Sequence, residues 1–235
     1  MRCLIIIPAY NESRSIEKVI NDIATQCPFA DYIVVNDCST DNTREILDGI
    51  DARYISAPVN LGIGGAVQAG YKYASANGYD MAVQVDGDGQ HDVAYVRQMM
   101  DILESGSADI VIGSRFIEGE GFRSSGLRRT GIRFLDGLIH MVSGAVITDA
   151  TSGFRAVNRR FIELYAEDYP DDYPEPEAIV MAALTGGRVH EIPVVMRERE
   201  FGISSINLRR SVYYMIKVTI AILVRRLSYS YEKKH

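Results

Sequence analysis

The residues best suited to chemistry in this chain are Asp86-Gly87-Asp88. Two carboxylates one residue apart repel each other unless a cation or a proton relieves them. Hard divalent ions take oxygen ligands, and Mg²⁺ is commonly held by one or two carboxylates together with substrate phosphates. Gln90 adds a neutral oxygen and His91 a nitrogen on the same turn, while Gly87 and Gly89 leave room for a bulky ligand. The plain alternative is an Asp-Gly turn in which Asp88 caps the next helix.

Three further polar clusters precede it: Pro8-Ala9-Tyr10-Asn11-Glu12, Asn36-Asp37-Cys38-Ser39-Thr40-Asp41 and Asn60-Leu61-Gly62-Ile63-Gly64-Gly65. Each alone has an ordinary explanation. Glu12 can serve as an acid at a helix N-terminus, and Asp37 with Ser39 can form a cap. The glycines at 62, 64 and 65 are followed by no Lys-Ser/Thr, so they do not form a P-loop, and they do not fit Gly-x-Gly-x-x-Gly.

The elements that position these clusters alternate. Leu4–Ile7, Tyr32–Val35, Met81–Val85 and Ile110–Ile112 are short β-branched runs that read as strands buried on both faces. Between them, about 13–26, 40–49, 62–76 and 93–105 carry apolar residues at helical spacing, as in Ile16, Val19, Ile20 and Ile23. Asn11 or Ser13 is a candidate cap for the first helix, and Ser39 or Asp41 for the second. The alternation predicts an α/β domain with a mostly parallel central sheet flanked by helices. In such sheets ligands bind at the carboxyl ends of the strands, so the polar loops are expected to meet on one rim.

The second half is less regular. Residues 116–128, rich in Gly, Ser and charge, read as a mobile loop and a candidate lid. A helix near 129–145, a strand near 153–157, a helix near 177–185 and a strand near 189–197 follow. The stretch 168–176 holds too many Asp, Tyr and Pro residues to be helical throughout. One domain is expected over 1–206, followed by a C-terminal amphipathic helix and basic tail over 207–235.

Composition sets the boundaries. At 235 residues, 47% hydrophobic and 24% charged, the chain is globular rather than disordered. Its net charge of −6 argues against a nucleic-acid partner. Cys3, Cys27 and Cys38 lack metal spacing and are odd in number. With no recognisable leader, a reduced, cytoplasmic setting is expected. Charge is uneven: from Arg197 onward nine Lys/Arg face three Asp/Glu, so the tail is suited to an anionic surface.

Taken in order and spacing, the four clusters resemble the family 2 glycosyltransferases, whose nucleotide-sugar-binding fold is called GT-A. The resemblance is to the subgroup of dolichol-phosphate mannose synthases and bacterial undecaprenyl-phosphate glycosyltransferases. It continues through Gly113-Ser114-Arg115-Phe116, Asp149-Ala150-Thr151-Ser152-Gly153-Phe154-Arg155 and Arg199-Glu200-Phe201-Gly202-Ile203-Ser204. It implies that Pro8, Tyr10, Glu12 and Asp37 line the nucleobase and ribose, and that Asn60, Gly62 and Gly65 admit the nucleotide close to backbone. Asp86, in contact with the donor, and Asp88 would hold Mg²⁺ or Mn²⁺ against the diphosphate, with Gln90 assisting. Asp149 would lie near the acceptor, as general base if that acceptor is a hydroxyl, with Glu175 and Glu177 as rivals. Arg115 and Arg199 would meet phosphate or acceptor. The partners implied are a nucleoside-diphosphate sugar and a polyprenyl-phosphate or lipid-linked saccharide acceptor, in the synthesis of cell-surface polysaccharide or glycolipid.

Some residues depart from the pattern. Ser204-Ser205 stands where close relatives carry Ser-Lys, so Arg209 or Arg210 would have to substitute for a phosphate-binding lysine. Asn36 stands where many members have Asp. Tyr173-Pro174-Glu175-Pro176-Glu177 resembles a subset tied to bacterial surface polysaccharides. Two other functions compete. A sugar-1-phosphate nucleotidyltransferase would show a Gly-rich loop with Arg after the first strand, and a non-catalytic nucleotide-sugar binder would have no need of the Asp86/Asp88 pair. In the C-terminal helix, about 207–229, the apolar run from Val218 to Val224 is far shorter than the roughly 20 residues that span a bilayer. Its basic fringe suits peripheral contact with the inner face of a cytoplasmic membrane. The alternative is packing on the domain or on a second subunit as a homodimer.

Overall fold

The computed structural model describes the backbone of residues 1–117, 126–197 and 208–232, with side chains except at 126–128, 208–212 and 231–232. The strands are β1 (Cys3–Ala9), β2 (Asp31–Asn36), β3 (Tyr54–Ser56), β4 (Met81–Gln84), β5 (Ile110–Ser114), β6 (Arg155–Asn158) and β7 (Val189–Pro193). They form one sheet in the order β3-β2-β1-β4-β6-β5-β7. β1 pairs in parallel with β2 and β4, β2 with β3, and β5 with β7. Only β6 runs antiparallel among the described strands, inserted between β4 and β5. The expected mostly parallel sheet is therefore present.

The helices are α1 (Ile16–Gln26), α2 (Thr43–Gly49), α3 (Gly62–Ala76), α4 (Val96–Glu104), α5 (Gly126–Ser143), α6 (Arg159–Glu167), α7 (Pro174–Leu184) and α8 (Leu208–Glu232). Alternate residues of each central strand face opposite cores, as a period of two requires. Ile5, Ile7, Val83 and Val111 pack with Ile16, Val19, Ile20 and Ile23 of α1 and Val96, Met99, Met100 and Leu103 of α4. Leu4, Ile6, Ala82 and Ile112 pack on the other side with residues of α3, α5, α6, α7 and α8. Three layers result, with the sheet in the middle.

Several boundaries differ from the sequence expectation. β3 has three residues, too few to stand out as an apolar run, and α6 follows β6 directly behind its cap, the Asn158 side chain accepting from the Phe161 N–H. Helix α7 begins at Pro174, three residues earlier than expected. A proline at the first helical position loses only a hydrogen bond that the helix end lacks anyway. The expected loop 116–128 falls largely on residues 118–125, and Arg199 with Ser204-Ser205 on 198–207. Both stretches lie outside the described residues.

Helix α3 lies unusually close to the sheet. A Cβ on Gly70 would stand 2.2 Å from Ile6 Cγ2, so only a glycine permits that approach. Gly137 is exposed within α5, and a Cβ added there would meet no atom within 4 Å. Gly70→Ala is expected to cost about 1–3 kcal/mol by overpacking. Gly137→Ala should add about 0.5–1 kcal/mol by restricting the unfolded chain. Urea denaturation of the two variants checks both signs.

Candidate functional site

The strand order reverses between β1 and β4, and the polar loops meet there. β1, β2, β3, β4 and β5 all end at the same edge of the sheet, and β6, being antiparallel, begins there. A crevice at such a switch point is where ligands of open α/β sheets bind. The loops on this edge satisfy one another's backbone groups.

Asn11 is in the left-handed region at φ 59°, and its side-chain oxygen accepts from the N–H groups of Thr40 at 2.7 Å and Asp41 at 3.3 Å. Asp41 in turn accepts from the N–H groups of Ser13 and Thr43, which holds its carboxyl below the usual range although burial opposes this. Glu12 donates its N–H to Thr43 Oγ1 and accepts from Ser15 Oγ at 2.9 Å. Tyr10 is exposed and Pro8 is buried, its carbonyl accepting from the Gly87 N–H at 3.2 Å. That bond ties the end of β1 to the acidic loop.

Asp37 is buried at the end of β2, where its carboxylate accepts from the Leu61 N–H at 2.6 Å. The Asn60 amide donates to the Asp37 carbonyl, and the Asn60 side-chain oxygen accepts from Gly62 N–H at 3.2 Å. Gly62 sits at φ 76°, so a side chain there would be strained. A Cβ on Gly65 would meet Leu61 Cβ at 2.7 Å. Asp37, Asn60, Gly62 and Gly65 are thus brought together at the start of α3.

In the acidic loop, Asp86 Oδ1 accepts from the Gln84 amide at 3.1 Å. His91 accepts the Asp86 N–H on Nδ1 at 3.0 Å, stacks on Phe154, and brings Nε2 to 3.6 Å from Asp86 Oδ2. Sequence reasoning placed His91 beside possible ligands, whereas the structure gives it a bracing contact. Asp88 accepts from the Gln90 N–H at 3.0 Å. The Gln90 amide approaches the Arg197 carbonyl, and the Arg197 N–H donates back to the Gln90 carbonyl at 2.9 Å. Arg197 is itself held by Asp22 and Asp92. Gln90 therefore moors the chain that leads toward Arg199.

Beyond β5, Arg115 grips Asp149 through two parallel bonds of 2.7 Å and reaches Thr151 Oγ1 at 2.8 Å. Asp149 is fully buried and also accepts the Arg115 N–H. Both its oxygens are committed. Glu177 is likewise engaged, by Arg225 of α8 at 3.0 Å. Glu175, at the first turn of α7, faces Arg155, Asp86 and Arg115, and burial pushes its carboxyl up.

Two acids supporting this side, Glu191 and Asp136, and the burial of Arg155 were not evident from sequence. Glu191 of β7 accepts the N–H groups of Thr148 and Asp149 at 2.8 and 3.0 Å. Asp136 of α5 accepts from Ala150 at 3.2 Å. Arg155, buried beneath them, donates to the Ser152 and Glu175 carbonyls. In the sequence both acids read as exposed residues of their elements. Burial, together with Asp149 and Glu191, pushes the Asp136 carboxyl up to about 7, against the opposing Ala150 bond. Between its ordinary value and about 7 the folded chain holds a proton that the unfolded chain has released, so stability falls as pH rises across that range. Asp136→Asn is expected to flatten the decline in melting temperature between about pH 5 and 7, read from thermal unfolding at stepped pH.

Residues 4–165 match the family model for glycosyl transferase family 2. The chain is 29% identical over 225 residues to the polyprenol monophosphomannose synthase of Mycolicibacterium smegmatis, covering 90% of this chain and 84% of that one. It is 32% identical over 216 residues to the undecaprenyl-phosphate mannosyltransferase of Micrococcus luteus, covering 88% of each. Among solved structures it resembles the glucosyl-3-phosphoglycerate synthase of Mycobacterium tuberculosis in complex with UDP. That likeness has a TM-score of 0.73 over 96% of this chain and 80% of the other, at 21% identity, and it is a likeness of fold. The chain belongs to glycosyl transferase family 2 and is a glycosyltransferase of GT-A fold.

Proposed function

We propose that this glycosyltransferase is metal-dependent and inverting, and that it moves a sugar from a nucleoside-diphosphate sugar to a polyprenyl-phosphate acceptor. The observation that carries the reading is the placement of Asp86 and Asp88 at the switch point, with the buried Arg115–Asp149 pair across from them. The names of the Mycolicibacterium and Micrococcus relatives favour the acceptor class. Such an acceptor places the enzyme's work at a membrane surface.

The residues present fit a hard divalent cation. Among the described residues no three His, Cys, Asp or Glu side chains converge. Two carboxylates completed by diphosphate oxygens are a usual arrangement for Mg²⁺. The cradle is close: a Cβ on Gly153 would stand 3.3 Å from Asp86 Oδ2. The Gln84 side-chain oxygen beside it is buried without a hydrogen-bond partner among the described residues. A cation held there by Asp86 and Asp88, with Gln90 assisting, would stabilise the charge that grows on the leaving diphosphate. Mn²⁺ accompanies UDP-glucose in one solved structure of the Mycobacterium tuberculosis synthase. The ion that Asp86 and Asp88 would hold is Mg²⁺ or Mn²⁺.

The loops around Asp37, Asn60, Gly62 and Gly65, with Pro8, Tyr10 and Glu12, receive the nucleotide. Arg115, kept protonated by the bond and charge of Asp149 despite burial, presents its fixed positive charge to phosphate. Asp149 is assigned to positioning Arg115, because a carboxylate with both oxygens bound cannot take a proton from an acceptor. A phosphate acceptor is already ionised and needs no base. Burial raises the Glu175 carboxyl above its ordinary value, against the opposing charges of Arg155 and Arg115.

Asp88→Ala should lower nucleotide release at least about a hundredfold. Its melting temperature should stay near that of the parent, because a partly exposed loop carboxylate adds little packing. Full activity of the parent in EDTA would sink the metal assignment. Glu175→Gln with a polyprenyl-phosphate acceptor is expected to retain turnover within about tenfold, because no general base is lost. A loss above about a hundredfold, with the acidic limb of the pH profile gone, would point instead to a hydroxyl acceptor.

A further inference from the structure

Helix α8 is apolar on two opposite sides. On one, Val218 and Ile222 are buried against α5 and α7, and Lys217 and Arg225 pair with Asp172, Asp168 and Glu177. Half a turn away, Tyr213, Ile216, Ile220, Leu223, Val224 and Leu227 are each between 44 and 70% exposed. At about 3.6 residues per turn their spacing gathers them into one stripe about 100° wide. One apolar face is what packing on the domain requires. A second face of this size, on a helix already packed, marks an interaction surface.

The charge around the stripe indicates what covers it. The segment 208–232 holds five Lys/Arg against the single Glu232, in a chain whose net charge is −6. Lys217 and Arg225 are paired with acids of the domain, which leaves Arg209, Arg210 and Arg226 as its basic fringe. Arg226 is exposed on this helix, and Arg129, Arg133 and Phe134 are exposed on neighbouring α5. Basic residues stand at both ends of the apolar run, at 209–210 and at 225–226. A second copy of α8 laid against the stripe, parallel or antiparallel, would therefore set basic end against basic end. An anionic surface meets the same residues with opposite charge. No described helix is long and apolar enough to cross a membrane, and an apolar stripe with a basic fringe is of the kind that suits a headgroup layer.

We propose that the outward stripe of α8 docks on an anionic lipid bilayer, with the helix parallel to the membrane plane. The inference deepens the acceptor reading and rests on it for its purpose, since a lipid-borne phosphate must be met at that surface. The docking itself needs no acceptor and is tested without one. The full chain is centrifuged with sucrose-loaded vesicles of phosphatidylcholine alone or with about one-third phosphatidylglycerol, at low and high salt. Expected are binding at least about tenfold stronger to the anionic vesicles and its weakening by salt. Ile220→Glu, and separately Leu227→Glu near the helix end, should each lower that binding about tenfold or more. Unchanged circular dichroism and an unchanged melting shift with UDP or GDP plus Mn²⁺ establish that the variants are folded. The proposal fails if the parent ignores anionic vesicles at low salt, or if both folded variants bind as the parent does. It also fails if light scattering shows a dimer that Ile220→Glu dissociates, which makes a second copy the occupant. Loss of the nucleotide-induced melting shift in the parent would instead count against the donor assignment and leave the docking result standing.

Discussion

The buried pair of Arg115 and Asp149 is the contact on which one whole side of the rim depends. An isolated charge in a protein interior is strongly disfavoured, and a pair is tolerated only with good geometry and further hydrogen bonds. Here the geometry is bidentate, and Thr151 takes a remaining guanidinium proton. The loop from Thr148 to Ala150 is then fixed by backbone bonds to Glu191 and Asp136, which brings β7 and α5 into register with β5. Three carboxyls beside one guanidinium leave an excess of negative charge. Burial is the main cause that raises the Asp136 carboxyl, and the charges of Asp149 and Glu191 add to it.

The donor side is built on a different principle. Its acids and amides are spent on backbone N–H groups of neighbouring loops rather than on opposite charges. Asn11 reaches to Thr40 and Asp41, Asp37 to Leu61, and Asp41 to Ser13. Each bond joins loops that follow different strands, so these loops brace one another directly. Asp86, by contrast, is braced by Gln84 and His91. The division matches the chemistry proposed: fixed dipoles and backbone where a nucleotide is recognised, and charged groups where charge changes during transfer.

Much of this was legible in the sequence, and the remainder has physical reasons. The strands ending at Ala9, Asn36 and Gln84 announce themselves as β-branched runs, and the polar loops follow them directly, so the rim could be read from order alone. The direction of β6 could not, because pairing sense is not encoded in the composition of a four-residue strand. The Arg115–Asp149 bond is hidden from the sequence for a related reason. The type of Asp149 suggests a base, but its partner is Arg115, 34 positions away, and only the fold brings the two together. Glu191 and Asp136 escaped notice because an acid on a half-buried helix or an edge strand looks like an exposed one until the loop it supports is placed.

The donor loops and α8 are also joined through the segment between α6 and α7. A Cβ on Gly64 would lie 2.1 Å from the Pro170 carbonyl oxygen, and the Gly64 N–H donates to the Asp171 carbonyl at 3.1 Å. On its other side the same segment is bound to α8, through Asp168 with Arg225, Asp172 with Lys217 and the Tyr173 ring against Tyr214 at 4.6 Å. A cleft of about 340 Å³ lies along this seam, lined by acids of the segment and by Lys217 and Arg225. The start of α3, the proposed nucleotide site, therefore rests on residues that α8 holds from behind. Because a close backbone contact cannot stretch without breaking, α8 and the glycine turn must keep their spacing or lose the contact at Gly64. The helix proposed to meet the membrane is in this way part of the support of the proposed donor site.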